Sequence, residues 1–301
     1  MIRPVLLVAR ALLAMALALS ASASLAVDID DAPHLLAKRA ELLPHLQATT
    51  FGEPIYLVSH ETGGRMAADV YADMALPYAR VASVLGSADS VCGLLFLHLN
   101  VRSCQPTHNA NGDVLMLSAG PKQGATAGTV YSMAYTMHVV ASTADYLRVT
   151  LAAGTGPLST SDYSIVFEAT PLEGQRTFLH FAYAYNYGLL AKMAMGVYLA
   201  TAGRTKIGFT VVGTGSDGRP QYLQGERGSV ERNVMRNYLA LLAYASISGE
   251  SSSNAATQTD ARLRAWFALT ERHAAQLHEL DLDQYLSEKH ADLARMAAPA
   301  R

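Results

Sequence analysis

The stretch DYSIVFEATPLEGQRTFLHFAYAYNYG, residues 162–188, predicts two neighbouring antiparallel strands. A Pro-Leu-Glu-Gly sequence at its centre has the composition of a turn, and the strands on either side cover residues 163–170 and 176–187. Strand side chains alternate between the two faces of a sheet, so the second strand places its large residues on one face. Those residues are Leu179, Phe181, Tyr183, Tyr185 and Tyr187.

A second aromatic face is predicted in VYSMAYTMHVV, residues 130–140, where alternation places Tyr131, Met133, Tyr135 and Met137 on one side. Two such faces need a large apolar partner to cover them. Either a helix packs over both as ordinary core, which the periodicity by itself favours, or part of them lines a cavity. In a cavity, methionine adapts to irregular shapes and tyrosine hydroxyls orient a ligand.

Strand patterns over residues 114–119, 129–141 and 146–152 extend this pair into a long, mostly antiparallel meander, because parallel strands need long crossover connections. Earlier in the chain, residues 54–61 and 65–74 form a predicted strand pair, and residues 95–103 also alternate as a strand does. Helical patterns cover residues 32–46, 77–86, 87–95, 188–202, 229–247, 260–278 and 282–296. The segment 188–202 contains a single charge and is predicted to pack on something apolar.

The helix predicted over 229–247 has the most regular amphipathic pattern, with Ser229 as its N-cap. Its apolar stripe consists of Val230, Val234, Tyr238, Leu241, Leu242 and Ala245. Four charged residues lie off that stripe, namely Arg227, Glu231, Arg232 and Arg236. This pattern predicts a helix with one face against a sheet.

The N-terminal residues have the three-part layout of a secretory signal peptide. Two arginines precede an apolar run over residues 11–19, and small residues then offer cleavage sites near Ala23 or Ala26. We therefore expect an exported, periplasmic protein. An oxidising compartment permits a disulfide between Cys92 and Cys104, but two buried free thiols remain the alternative, because sequence does not supply the distance between them.

Composition argues against several other classes of function. The chain has 301 residues, 16% of them charged, and a formal net charge of -2. It therefore lacks the excess of positive charge that is typical of nucleic-acid-binding proteins. Residues 213–218 match G-x-G-x-x-G, but Arg219-Pro220 and a strand-like segment follow where a dinucleotide site needs a helix. The histidines lack metal-site spacing. We expect no cofactor, no metal and no nucleic-acid partner.

The order of elements resembles the START-like, polyketide-cyclase-like helix-grip superfamily, and in particular its lipid-binding START type. The first helix after the strand pair begins with a matching pattern formed by Pro77, Tyr78, Val81 and Leu85. The resemblance covers about residues 51–247. It implies an α+β fold in which a curved antiparallel β-sheet wraps around a long C-terminal helix, with extra helices at both termini.

The expected domain organisation follows from the signal peptide and the extent of the resemblance. It comprises a signal peptide over 1–26, an N-terminal helix over 27–50, a START-like domain over 51–247, a linker over 248–258 and a C-terminal helical tail over 259–301. The Ser- and Asn-rich composition of the linker indicates flexibility.

The resemblance implies a cavity between sheet and helix that binds, and carries, a hydrophobic small molecule such as a lipid, a sterol or a polyketide-like compound. The candidate ligand-binding residues are Tyr131, Met133, Tyr135, Met137, Phe181, Tyr183, Tyr185, Tyr187, Met235 and Tyr238. One alternative is a cyclase-, aromatase- or hydrolase-type enzyme of the same fold, with His98, Arg102, Asp162 and His180 as its polar candidates. Another alternative is an interaction protein whose terminal helices dock a partner. Transient contact with a membrane or a partner protein is also possible.

Overall fold

The structure is a computed structural model that describes residues 31–120, 130–201, 203–247 and 254–298. The predicted signal peptide lies outside these residues. The strands are β1 (Ile55–Thr62), β2 (Arg65–Met74), β3 (Val101–Thr107), β4 (Asp113–Ala119), β5 (Tyr131–Ser142), β6 (Leu147–Thr155), β7 (Ser161–Leu172), β8 (Arg176–Asn186), β9 (Val211–Thr214) and β10 (Pro220–Tyr222). The helices are α1 (Ala32–Gln47), α2 (Tyr78–Leu85), α3 (Ala88–Leu97), α4 (Leu189–Ala200), α5 (Gly225–Ser246), α6 (Ala255–Glu271), α7 (Ala274–Leu277) and α8 (Leu282–Ala297).

Eight strands form one antiparallel sheet in the order β1-β2-β8-β7-β6-β5-β4-β3. The predicted hairpin β7–β8 supplies the third and fourth strands of this order, and in it Phe167 lies opposite Phe181 with their ring centroids stacked 4.7 Å apart. The long helix α5 packs against β1, β2 and β8. A sheet of this order closed around one long helix is the helix-grip fold, so the predicted fold class is confirmed.

Helix α5 buries the predicted apolar stripe, including Val234, Tyr238 and Leu241. It begins at Gly225 with Gln224 as its N-cap, so the prediction of Ser229 as the N-cap is wrong. Gly225 has a φ of +73°, a conformation that glycine adopts without a steric penalty, and the chain therefore enters the helix one turn earlier than predicted.

Three charged residues that lie off the predicted stripe, Glu231, Arg232 and Arg236, are also buried. Glu231 accepts hydrogen bonds from the hydroxyls of Ser59 and Thr210, both 2.7 Å away, and from the backbone N–H groups of Phe209 and Thr210 at 2.7 and 3.0 Å. A buried carboxylate is tolerated when its oxygens are hydrogen-bonded in this way. Helix α5 is therefore covered on more than the side that faces the sheet.

The C-terminal helices pack on the same core as the sheet. Trp266 of α6 is buried, and its indole Nε1 donates to the backbone oxygen of Arg236 on α5 at 3.0 Å. Lys289 of α8 is buried too, and its ammonium donates to the backbone oxygens of Phe96, His98 and Val101, all within 2.7 Å. Helix α6 starts at Ala255, so residues 255–258, which were predicted as linker, are helical.

The strand predicted over residues 95–103 is wrong at its start, because Leu95 to Leu97 belong to α3 and β3 begins at Val101. Helix α3 is buried on nearly all sides, and a helix that is apolar all round shows no periodicity to separate it from a strand. A disulfide joins Cys92 of α3 to Cys104 of β3, with their Cα atoms 5.1 Å apart, within the range that a disulfide spans.

Candidate ligand-binding cavity

The three tyrosines at the end of β8 line a cavity of about 390 Å³, which we call the tyrosine cavity. It lies between the sheet, α4 and the first turns of α5. Its lining residues are Pro157, Leu158, Thr160, Tyr163, Tyr183, Tyr185, Tyr187, Ala191, Lys192, Ala194, Met195, Tyr198, Glu226, Ser229, Val230 and Asn233. Cavities of this size accommodate small organic ligands.

The tyrosine rings form a connected aromatic wall. Tyr163 of β7 stacks on Tyr185 with ring centroids 5.3 Å apart, and Tyr183 lies 5.7 Å from Tyr185. Tyr163 donates its hydroxyl to Thr160 at 2.7 Å, and Tyr187 donates to Glu61. The hydroxyls of Tyr183 and Tyr185 make no hydrogen bond to the described part of the protein. Two half-buried phenols are therefore left to hydrogen-bond a ligand.

These phenols stay neutral at physiological pH. Burial raises the pKa of Tyr183 well above its ordinary value, and the nearby phenols add to the effect. Burial also raises the pKa of Tyr185 to about 12, with smaller contributions from Tyr163 and from the carboxylates of Glu226 and Glu61. A neutral phenol both donates and accepts hydrogen bonds, so the wall orients polar groups without adding charge.

Three of the ten predicted ligand-binding residues, Tyr183, Tyr185 and Tyr187, line the tyrosine cavity. Five others have exposed fractions of 7% or less and belong to the close-packed core, where they touch protein rather than open space: Met133, Tyr135, Met137, Phe181 and Met235. Tyr131 is exposed, and Tyr238 borders a different cavity between α5 and α6. The aromatic faces are thus core along most of their length and cavity wall only at the end of β8.

Sequence reasoning missed Tyr163 and the contribution of α4. Tyr163 shares the inward face of β7 with Ile165 and Phe167, so the same alternation test would have found it. Helix α4 covers the cavity with Met195 and Tyr198, but its other faces are open: Leu189, Leu190, Met193 and Val197 are between 53% and 75% exposed. Only one side of this helix therefore packs against the residues that the structure describes.

The polar candidates for catalysis do not converge on the tyrosine cavity. His98 caps the C-terminus of α3, and Arg102 forms ion pairs with Glu288 and Asp292 of α8. Asp162 accepts hydrogen bonds from Ser161 and Asn186 at the edge of β7. Within the ranges that the structure describes, no group of three or more His, Cys, Asp or Glu residues could hold a metal ion.

His180 lies on the opposite face of the sheet, which α1 covers. Its Nδ1 is 2.8 Å from Glu168 and its Nε2 is 2.9 Å from Asp69. Burial lowers the pKa of His180, but the hydrogen bonds to both carboxylates outweigh burial and raise it overall. Burial likewise raises the pKa of Glu168, yet hydrogen bonds from His180 and Tyr146 and the charges of His180 and Arg148 bring it down to about 2.

We expect this network to make the protein sensitive to acid. A carboxyl whose pKa is depressed on folding stabilises the fold above its unfolded pKa, near 4.5 for Glu168, and loses that contribution as the pH falls toward its folded pKa. Between pH 6 and pH 3 the free energy of unfolding should fall by about 2 kcal/mol more in the wild type than in Glu168→Gln. Urea denaturation at the two pH values measures the difference, and equal losses would show that Glu168 does not titrate as described.

The sheet order and the enclosed helix define the helix-grip fold, as the sequence predicted. No family model matches the chain, and no curated protein matches it. Among solved structures, the chain is similar to the Zhui aromatase/cyclase from a Streptomyces species, with 17% identity and a TM-score of 0.34 over 64% of this chain and 91% of that one. A START superfamily protein from Mycobacterium smegmatis matches with 12% identity and a TM-score of 0.33, over 46% of this chain and 92% of that one. Human STARD10 matches with 10% identity and a TM-score of 0.36, over 73% of this chain and 83% of that one.

Proposed function

We propose that the protein binds a hydrophobic small molecule in the tyrosine cavity and carries it. The observation that supports this most directly is the state of Tyr183 and Tyr185, whose rings border open space and whose hydroxyls lack partners among the described residues. Apolar walls with a few polar groups that fix orientation are typical of small-molecule sites. The cyclase- or hydrolase-type alternative has no comparable support, because its polar candidates lie in separate places.

Transport requires the ligand to enter and leave the tyrosine cavity. Helix α4 lies over this cavity and is therefore the element that entry would displace. Its exposed apolar residues show that few contacts hold this helix down on its outer side. Segments with few buried contacts open at low free-energy cost, so we infer that α4 moves to admit the ligand.

We also propose that the protein is exported to the periplasm and that residues 1–26 are removed near Ala23 or Ala26. The charged, apolar and small-residue regions of the N-terminus support export, and so does a cysteine pair at bonding distance. N-terminal sequencing of the mature protein tests this proposal. No single helix among the described residues has the length and hydropathy to cross a membrane. Taken together, α2 and α3 have that length and hydropathy, but a bend of 93° separates them.

Replacing Tyr185 with alanine tests the binding site. The change enlarges an existing space instead of opening a void, so we expect the free energy of unfolding of the empty protein to fall by only about 1 kcal/mol. The affinity for an apolar fluorescent probe should fall about tenfold, because a ring face and a hydroxyl are lost. Denaturation and fluorescence titration measure both quantities on one sample.

Phe181→Ala is the matched control, since Phe181 lies on the same face of β8 but in the packed core. It should cost about 3 to 5 kcal/mol of stability and leave the affinity of the folded protein for the probe nearly unchanged. Strong destabilisation by Tyr185→Ala with unchanged probe affinity would place the tyrosines in ordinary core and contradict the proposed function.

A further inference from the structure

A second cavity, of about 620 Å³, adjoins the tyrosine cavity along α5, and we call it the basic cavity. Four residues line both spaces: Met195 and Tyr198 of α4, and Ser229 and Asn233 of α5. Beyond these shared residues the basic cavity is lined by His98, Asn100, Arg232, Arg236, Glu279 and Leu280. An apolar and a polar compartment thus share one wall.

The basic cavity has more positive than negative charge. Its carboxylate, Glu279, is shared between Arg236 and Lys206, each 2.9 Å away on a different oxygen. Arg232 is only 2% exposed, donates to the backbone oxygen of Ile207 at 3.2 Å, and forms no ion pair with any residue that the structure describes. The buried Nε of Arg236 has no hydrogen-bond partner within the described part of the chain.

Burial of a guanidinium without a counter-charge is unfavourable, because the lost hydration is not replaced. Burial lowers the pKa of Arg236; Glu279 opposes this, and the nearby charge of Arg232 lowers the pKa further. The two buried arginines therefore repel each other. An anion placed between them and the shared wall would relieve that repulsion and accept charge-assisted hydrogen bonds.

We propose that the basic cavity binds the anionic headgroup, a carboxylate or a phosphate, of an amphiphile whose apolar chain lies in the tyrosine cavity. This inference rests on the proposed function and gives the ligand its chemical class. Arg232 and Arg236 bind the head, and Ser229 and Asn233 offer hydrogen-bonding side chains where the two cavities meet. The tyrosine wall contacts the chain.

A matched pair of probes tests the charge of the ligand directly. The full chain is titrated with dansylaminoundecanoic acid and with its methyl ester, which differ in the charge of the head and by one methyl group. The acid should bind at least about tenfold more tightly, as expected for hydrogen bonds to a charged group. In Arg232→Met the affinity for the acid should fall to that for the ester, while the affinity for the ester is unchanged. Arg219→Met removes an exposed arginine outside both cavities and should keep the preference.

Equal affinities for acid and ester in the wild type would overturn the inference and leave the proposed function standing, and this comparison holds even if Arg232→Met fails to fold. No binding of either probe would overturn the proposed function itself. If folded Arg232→Met still bound the acid more tightly than the ester, the assignment of the headgroup to the basic cavity would be overturned. Hexadecyl phosphate should displace the acid where inorganic phosphate at the same concentration does not; equal displacement by both would overturn the assignment to an amphiphile.

Discussion

Trp266→Ala is expected to lower the free energy of unfolding by about 3 to 5 kcal/mol. Trp266 is among the largest fully buried side chains of the described residues, and its ring lies 5.1 Å from that of Tyr285 on α8. The change would open a void between α5, α6 and α8 and would remove the indole hydrogen bond to the backbone oxygen of Arg236, which adds about 1 kcal/mol. Chemical denaturation monitored by circular dichroism measures the loss.

Two variants separate the possible causes of that loss. Arg264→Ala removes an exposed side chain from the same helix and should change stability by less than about 0.5 kcal/mol. Trp266→Phe keeps most of the ring volume but not the N–H donor, so its loss of stability should lie between those of Arg264→Ala and Trp266→Ala. A cost below about 1 kcal/mol for Trp266→Ala would mean that the C-terminal helices are not part of the core.

Leu241→Ala is expected to destabilise the protein by about 2 to 5 kcal/mol. Leu241 has no exposed surface and lies in the middle of α5, the helix that the sheet encloses. Truncation would leave a cavity that the sheet cannot close, because its strands are held in register by their neighbours. The midpoint of urea denaturation should shift with little change in its slope.

Leu242→Ala is the matched control on the neighbouring position of the same helix. Leu242 is half-buried and borders the surface cavity between α5 and α6, so its truncation should cost about 1 kcal/mol. Similar small costs at both positions would mean that α5 does not pack tightly against the sheet, and the helix-grip description of the interior would then be wrong.

Much of the fold could be predicted from local patterns. Alternation located β7 and β8 to within a few residues, because each strand has one face in the core and one face under α1. The segment from Leu95 to Leu97 was misassigned because α3 is buried on nearly all sides and therefore has no polar face to show its period. The start of α5 was missed because a glycine conformation, and not a capping side chain, begins the helix.

The candidate site could be predicted only in part. Tyr183, Tyr185 and Tyr187 were identified by alternation, but Met133 and Phe181 follow the same rule and are core. The pattern of a strand indicates which face is apolar, but either a helix or a ligand can cover that face. Which residues of the apolar face line the cavity depends on where α4 and α5 lie over the sheet.

By itself the sequence determined the strands, the apolar stripe of α5 and an aromatic face at the end of β8, since these follow from side-chain periodicity within one segment. The tertiary structure alone decided that Arg232 and Arg236 are buried, because the elements that cover them, around Ile207 and Glu279, are distant in sequence. The spacing of charges along a helix predicts which side they occupy, and burial depends on what other segments place against that side. For the same reason, the junction of an apolar and a basic cavity becomes visible only when α4, α5 and the C-terminal segment are in place.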